Sequence, residues 1–192
     1  MRTSRDGWTS DRERDDLALR MIRHEARTCT IRACTRLTDD RIRRLYKRHA
    51  GRGLGTPIRR RRGKPPRQPS YFVRNARVQY EASLLANTLI AFGLLAVGAR
   101  RRAGSVAFGS LFCDAYETHG QLLTLAGLVR EISFEHAWFL LQLLERGSGL
   151  RRLRCRTCDG PYVRDPVRAP RRGCPLCAIK IRKTASRRRL MK

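Results

Sequence analysis

The tightest constraint on this chain is a spacing. Cys155 and Cys158 enclose two residues, and after fifteen more come Cys174 and Cys177, again two apart. Two Cys-x-x-Cys pairs at this separation read as a four-cysteine metal site. Two intervening residues let the chain turn tightly, so that both sulfurs of a pair converge on one ion. Zinc suits four thiolates in a closed tetrahedron, at ~2.3 Å, when its role is structural. Such a centre leaves no position for an activated water. The zinc deaminase pattern is also missing, because Glu25 follows His24 directly and Gly173, not proline, precedes Cys174. Gly160 and Gly173 flank the pairs where the backbone has to bend. Between them, Pro161–Val167 can form a short strand and a turn, as in a zinc ribbon. The competing readings are two disulfides, four separate buried thiols, or iron in a rubredoxin-like centre. The total of seven cysteines is odd, which suits a reducing cytoplasm better than a secreted disulfide scaffold.

A module of about 25 residues cannot hold a fold by burial alone, so one structural Zn²⁺ per chain is expected to stabilise it. The 192-residue chain has room for one ordinary domain beside it. Its charge is segregated. Residues 41–77 carry 14 basic and no acidic groups, and residues 151–192 carry 15 basic and 2 acidic. Residues 1–40 and 78–150 are nearly balanced. Concentrated positive blocks of this kind are the footprint of a polyanion partner, with a merely solvated charge run as the bland alternative. Met1 to Asp16 is polar throughout and contains no apolar leader, so a cytoplasmic product is expected.

In chain order, residues 1–16 read as a disordered N-terminus. Residues 17–50 read as a helix-turn-helix-like basic segment. Leu17, Leu19, Ile22 and Ala26 fall on or near one helical face, and a short helix fits Cys29–Thr35. A third helix follows Thr38, a natural N-cap, with Asp39 and Asp40 in its first turn. Its Ile42, Leu45 and Tyr46 would face inward, leaving Arg41, Arg43, Arg44, Lys47 and Arg48 outside. This outline resembles a helix-turn-helix, although Arg32 stands where alanine is usual and Arg36 where the turn glycine is usual. An ordinary helical hairpin with a basic face is the alternative. Residues 51–70 form a basic Pro/Gly linker containing Arg59, Arg60, Arg61 and Arg62. It is either an arm for DNA phosphates or a minor groove, or a solvated hinge.

Residues 71–150 read as an apolar helical body and partner interface. Ala82–Ala99 has no charged residue, so a membrane span competes with a buried helix and turn. Ser83, Asn87 and Thr88, together with the minimal length, favour the latter. Ser110–Val129 reads as helix broken near Gly120 or Gly127. Glu135–Glu145 reads as helix ended by Gly147 and Gly149, with apolar surface to spare for a subunit interface. The metal module occupies 151–180 and a basic tail 181–192. The fold class is therefore mainly α, with a small C-terminal zinc-ribbon-like module.

These features, in this order, resemble the FlhC family, the C subunit of the bacterial flagellar master transcriptional activator. The resemblance rests on Leu37-Thr38, Arg41-Ile42-Arg43-Arg44-Leu45-Tyr46-Lys47 and Gly51, then on Ala137-Trp138, Leu144-Glu145 and Gly149-Leu150, then on the four cysteines. It implies a cytoplasmic transcriptional activator that joins a D-type subunit in a hetero-oligomer of two C and four D chains. It further implies that the complex binds double-stranded promoter DNA of flagellar operons and acts through RNA polymerase, with zinc on Cys155, Cys158, Cys174 and Cys177. The competing class is a basic zinc-ribbon protein of an RNA complex or the ribosome. An enzyme is not expected, because His24, His49, His119 and His136 are isolated and no phosphate loop or nucleophile with a partner is present.

Overall fold

The computed structural model describes residues 4–49, 58, 60, 61, 63–95, 105–147, 149–167 and 174–179. Its helices are α1 (Ser4–Arg23), α2 (Thr28–Thr35), α3 (Asp39–His49), α4 (Ala76–Ala91), α5 (Val106–Leu125) and α6 (Phe134–Arg146). A 3-10 turn spans Pro69–Val73, and strands β1 (Arg151–Arg154) and β2 (Pro161–Arg164) pair antiparallel. The protein is thus mainly helical, with a small C-terminal cysteine module, as the periodicities and the cysteine spacing predict. It divides into two compact units, Met1–Pro66 with Ala96–Ala115 and Arg67–Leu95 with Tyr116–Lys192.

The first unit packs α1, α2 and α3 together. Leu17, Ala18, Met21, Ile22 and Ala26 of α1 and its exit turn are buried, as are Ile31 and Cys34 of α2 and Ile42, Leu45 and Tyr46 of α3. Helix α1 begins at Ser4, well ahead of Leu17, and covers most of the stretch whose polarity suggests disorder. Residues 11–16 of these added turns are exposed or half-buried and carry charge pairs. Arg14 lies 3.5 Å from Asp11 one turn away, and Asp15 meets Arg41 of α3. The first half of α5 belongs to this unit, with Phe108, Phe112 and Cys113 buried.

In the second unit, α4 packs against β2, α6 and the 3-10 turn. Asn75 caps α4 by accepting from the Val78 amide at 2.8 Å, and Ser133 caps α6 by accepting from the His136 amide at 3.4 Å. Helix α4 ends at Ala91, short of the predicted 82–99 run, whose last residues lie outside those described. Among the described residues, no helix is long and apolar enough to cross a membrane. Glu81, fully buried in α4, accepts hydrogen bonds from the amides of Glu131 (3.0 Å) and Ile132 (2.8 Å) and an ion pair from Arg77 (3.1 Å). One carboxylate therefore ties the α5–α6 connection to α4.

Helix α5 runs unbroken through Gly120 and ends before Gly127, which takes φ +65°. Gly120 marks a close approach instead of a break. A Cβ there would overlap the Arg130 guanidinium, which lies 4.3 Å above the Tyr116 ring. On α6, Phe134, Ala137, Trp138, Leu140, Leu141 and Leu143 are buried, and Phe139 and Leu144 half-buried. Among the described residues, the large apolar side chains most open to solvent are Leu125 (85% exposed) and Val129 (83%) near the end of α5 and Val167 (90%) after β2.

Candidate metal centre and nucleic-acid interface

Strand β1 delivers the chain into a turn over 156–158, and the residues that follow bring it back along β2. The turn closes with the Cys155 amide donating to Gly160 O at 3.0 Å and the Asp159 amide to Cys155 O at 2.8 Å. Asp159, rather than a glycine, adopts the left-handed conformation (φ +53°), which aspartate tolerates better than most residues. Gly160 lies beside the first pair, where a Cβ would make ordinary contact with Cys158 Sγ at 3.4 Å. Gly173 is outside the described residues. In the second pair, Cys174 directly precedes a short helical segment over 175–179 that carries Cys177.

The sulfur ligand atoms of Cys155, Cys158, Cys174 and Cys177 all lie within 4.8 Å of one another. A zinc–thiolate tetrahedron with ~2.3 Å bonds has sulfur–sulfur edges of ~3.8 Å, so the cluster fits one ion after a small contraction. No disulfide joins the four: Cys158 Sγ is 3.6 Å from Cys174 Sγ. Backbone amides point at the sulfurs, Thr157 N–H at Cys155 (3.4 Å) and Cys177 N–H at Cys174 (3.5 Å). The Thr157 and Cys158 amides hold the Cys155 thiol down at about 6. Burial raises Cys174, and the neighbouring Cys158 sulfur, with burial, pushes Cys177 up to about 12. Four crowded sulfurs cannot all ionise near neutrality unless a cation balances them, and this is the chemistry of a metal cradle.

Two side chains of α4 position this module. Gln79 Nε2 donates to Val163 O at 2.9 Å, and the Val163 amide donates to Ser83 Oγ at 3.0 Å. They satisfy the edge of β2 that β1 does not pair, so the sheet docks on α4 through polar groups and the buried Val163. Sequence reasoning used Ser83 only as an argument against a membrane span. The available signal was a polar pair one turn apart within an apolar helix.

In the first unit, α2 and α3 meet across a three-residue turn. Arg36 occupies its left-handed position (φ 58°, ψ 17°), the place a glycine usually takes. The Thr35 hydroxyl donates to Ile31 O (2.8 Å) and accepts from the Leu37 amide (3.2 Å), while Leu37 is buried beneath the turn. Thr38 caps α3 by accepting from the Arg41 amide at 3.3 Å. Arg32, on the exposed side of α2, pairs with Asp39 at 3.2 Å. The two departures from the usual helix-turn-helix pattern are therefore accommodated locally.

The predicted basic residues separate into distinct environments. Arg41 is engaged by α1: Nε and Nη2 donate to the two Asp15 carboxylate oxygens at 2.9 and 2.8 Å, and Asp11 lies 3.6 Å away. Arg43 pairs with Asp40 at 2.8 Å. Arg44, Lys47 and Arg48 are exposed and make no ion pair among the described residues. In the linker, Arg61 pairs with Glu25 at 2.8 Å, and Arg60 reaches Thr28 Oγ1 at 3.3 Å with its guanidinium 5.6 Å above Tyr46. Both thus lie back on the helices of their own unit. Arg59 and Arg62 are outside the described residues.

Comparison with known proteins joins these observations. The family model of the flagellar transcriptional activator FlhC matches residues 8–190. The chain is 28% identical over 148 residues to the flagellar transcriptional regulator FlhC of Cupriavidus metallidurans, covering 77% of this chain and 62% of that protein. It is 31% identical over 156 residues to the Cupriavidus necator protein of the same name, covering 80% and 68%. It is 27% identical over 167 residues to that of Verminephrobacter eiseniae, covering 87% and 82%. The match thus spans about three fifths of the first of these relatives and four fifths of the last. A match that takes in the α1–α3 segment, the helical body and all four cysteines places the chain in the FlhC family of flagellar transcriptional activators.

Proposed function

We propose that this protein is the DNA-binding subunit of a cytoplasmic transcriptional activator, with α3 as its recognition helix. On this proposal it assembles with a D-type subunit, two chains with four, binds promoters of flagellar operons and acts through RNA polymerase. One structural Zn²⁺ on Cys155, Cys158, Cys174 and Cys177 holds the C-terminal module, and the chain performs no catalysis. The observation that carries the DNA reading is the uncommitted charge of Arg44, Lys47 and Arg48 on a capped helix that follows a tight left-handed turn. Unpaired guanidinium and ammonium groups are available for phosphates and base edges.

Mechanistically, the residues of α3 then have different tasks. Arg44, Lys47 and Arg48 contact the duplex. Arg41 is a positioning residue, because its planar donors are spent on Asp15 and set the angle of α3 against α1. Arg60 and Arg61 strap the linker to the same unit, leaving Arg59 and Arg62 as the candidates for phosphate contacts in the arm.

A competition assay on the full-length protein with its D-type partner tests this assignment. Its ligands are flagellar-type promoter duplex, random duplex and structured RNA across a salt series. Alanine at a base-reading residue among 44, 47 and 48 should cost ~1–3 kcal/mol on the promoter and little on random duplex. Arg41→Ala should weaken both duplexes without changing the salt slope, and Asp15→Ala should do the same. Preference for RNA at every salt concentration, or indifference to all three α3 substitutions, would remove the DNA assignment.

A further inference from the structure

Helix α1 stops on a residue that the stop itself does not call for. The Ala26 amide donates to Met21 O at 3.0 Å, and the Glu25 amide to Ile22 O at 2.8 Å. This pair of bonds closes a helix around one left-handed position, where glycine is the usual occupant. Here the position belongs to Glu25, with φ 57°. The backbone gives no reason for a glutamate, so the reason lies in what its carboxylate meets. It meets the basic arm: Arg61 Nε donates to Glu25 Oε2 at 2.9 Å, with Nη2 at 2.8 Å.

Three further contacts bring the same stretch onto the turn between α1 and α2. Arg27 Nη1 donates to Gly63 O at 2.6 Å, and Gly63 takes φ +91°, a conformation open to glycine. Arg60 Nη2 donates to Thr28 Oγ1 at 3.3 Å, and its guanidinium lies 5.6 Å over the Tyr46 ring of α3. Tyr46 itself donates from its hydroxyl to Ala26 O, so α3 and the arm meet the same turn. All these residues belong to the first unit. One exposed ion pair fixes little. Several contacts from adjacent residues, one of them to the arm's backbone, fix a position.

We infer that the α1–α2 turn is the seat of the basic arm, and that Glu25 is a positioning residue for DNA binding. With Arg27 and Thr28 it orders Arg60, Arg61 and Gly63 beside α3 before the duplex arrives. This rests on the DNA-binding function proposed above, and it assigns a role to an acidic residue that touches no DNA. The physical gain is preorganisation. An arm free in solution loses conformational freedom when it settles on phosphates, which opposes binding, and an arm already seated loses less. The fastened pair is flanked in sequence by Arg59 and Arg62, the arm residues assigned to phosphates above.

The opposing reading makes Glu25 a competitor, which occupies an arginine that a phosphate would otherwise take. The two readings differ in sign. Through simple electrostatics, removing a carboxylate strengthens binding to a polyanion. Removing a positioning carboxylate weakens it.

The full-length protein with its D-type partner is prepared as wild type, Glu25→Gln, Glu25→Gly, Arg61→Gln and Glu25→Gln/Arg61→Gln. Glycine suits the left-handed position, so Glu25→Gly removes the carboxylate while keeping the helix stop. Limited trypsin digestion, mapped by mass, reads the arm without DNA. Cleavage after residues 59–64 should be faster in both Glu25 variants than in wild type. Titration with random duplex at ~0.1 M salt then reads the consequence. Both Glu25 variants should bind more weakly than wild type, by up to ~5-fold, the range of an exposed ion pair. In the Arg61→Gln background the loss should vanish or reverse, because there is no arginine left for Glu25 to hold. Unchanged cleavage of the arm overturns the proposal, and so does duplex binding by the Glu25 variants as tight as wild type or tighter. A loss of equal size in both backgrounds also overturns it. If the wild-type complex binds no duplex, the DNA-binding reading fails and this proposal with it. Tight wild-type binding with indifferent Glu25 variants removes the positioning role alone.

Discussion

At the residue scale, the least expected group is His119. It is fully buried, and among the described residues neither ring nitrogen has a hydrogen-bond partner. Burial, reinforced by the charge of Arg130, lowers its pKa to about 4. In the unfolded chain a histidine titrates near ~6.5. Between these values the unfolded chain binds a proton that the native chain refuses, so stability rises with pH across that window. The contribution is whole above pH ~6.5 and is lost as the pH falls towards 4, amounting to about 3 kcal/mol in full. His119→Leu should abolish it. In urea unfolding at pH 7 and pH 5, the wild type should lose about 2 kcal/mol more than the variant over that interval. Equal losses would place the acid sensitivity on other groups. Glu81 shows the contrasting solution: it is as deeply buried, yet amides and Arg77 satisfy it.

At the element scale, helices α1 and α2 approach the first half of α5 at Gly109. A Cβ there would lie 2.7 Å from Leu17 Cδ2 and 2.9 Å from Cys34 Cβ. The leucine methyl can rotate, but a Cβ is fixed to its backbone, so α2 itself would have to move. Alanine gains ~1 kcal/mol of helix propensity, against an overpacking cost of ~1–3 kcal/mol. Gly109→Ala should therefore lower the melting temperature. Gly120→Ala should cost less, because the atoms it meets belong to the mobile end of Arg130. Thermal melts of the two variants side by side test the comparison, and a more stable Gly109→Ala protein would show that the helices are not in contact as described. In sequence both glycines look alike, as flaws in a helical pattern. Here they mark sites of close approach, one to a backbone and one to a side chain.

At the scale of the whole molecule, the metal module depends both on its ion and on its dock. A metal ion bound there would draw four crowded sulfurs together, while Gln79 and Ser83 attach β2 to α4. Metal analysis of the purified protein should find about one zinc per chain. Chelation, or Cys174→Ser, should release the sheet and raise amide exchange at Cys155 and Val163, and also along the face of α4 that loses its cover. Stoichiometric iron would change the identity of the ion. Full retention of Val163 protection without metal would show that the α4 dock alone suffices. The excess positive charge is likewise a whole-molecule property. It is distributed over both units, so a single salt slope for the intact complex sums contributions that only variants can separate.

Much of this was legible from local pattern. The cluster of four cysteines follows from a spacing of two residues, and helix turns, caps and buried stripes follow from i, i+3 and i+4 relations. In both cases partner and register lie within a few residues of one another. The extension of α1 ahead of Leu17 was not legible, because polarity alone does not distinguish a disordered segment from a charged helix in which Asp11 and Asp15 pair with Arg14 and Arg41. The fate of the arginines was equally hidden. Arg41 is occupied by an aspartate 26 residues away, Arg61 by a glutamate 36 away, and the cysteine module is fastened by a glutamine 84 residues before the strand it holds. Composition counts charges but does not pair them. Which cations remain for a polyanion depends on which carboxylates the folded chain brings within 3–4 Å, and that distance is set by packing between elements far apart in sequence.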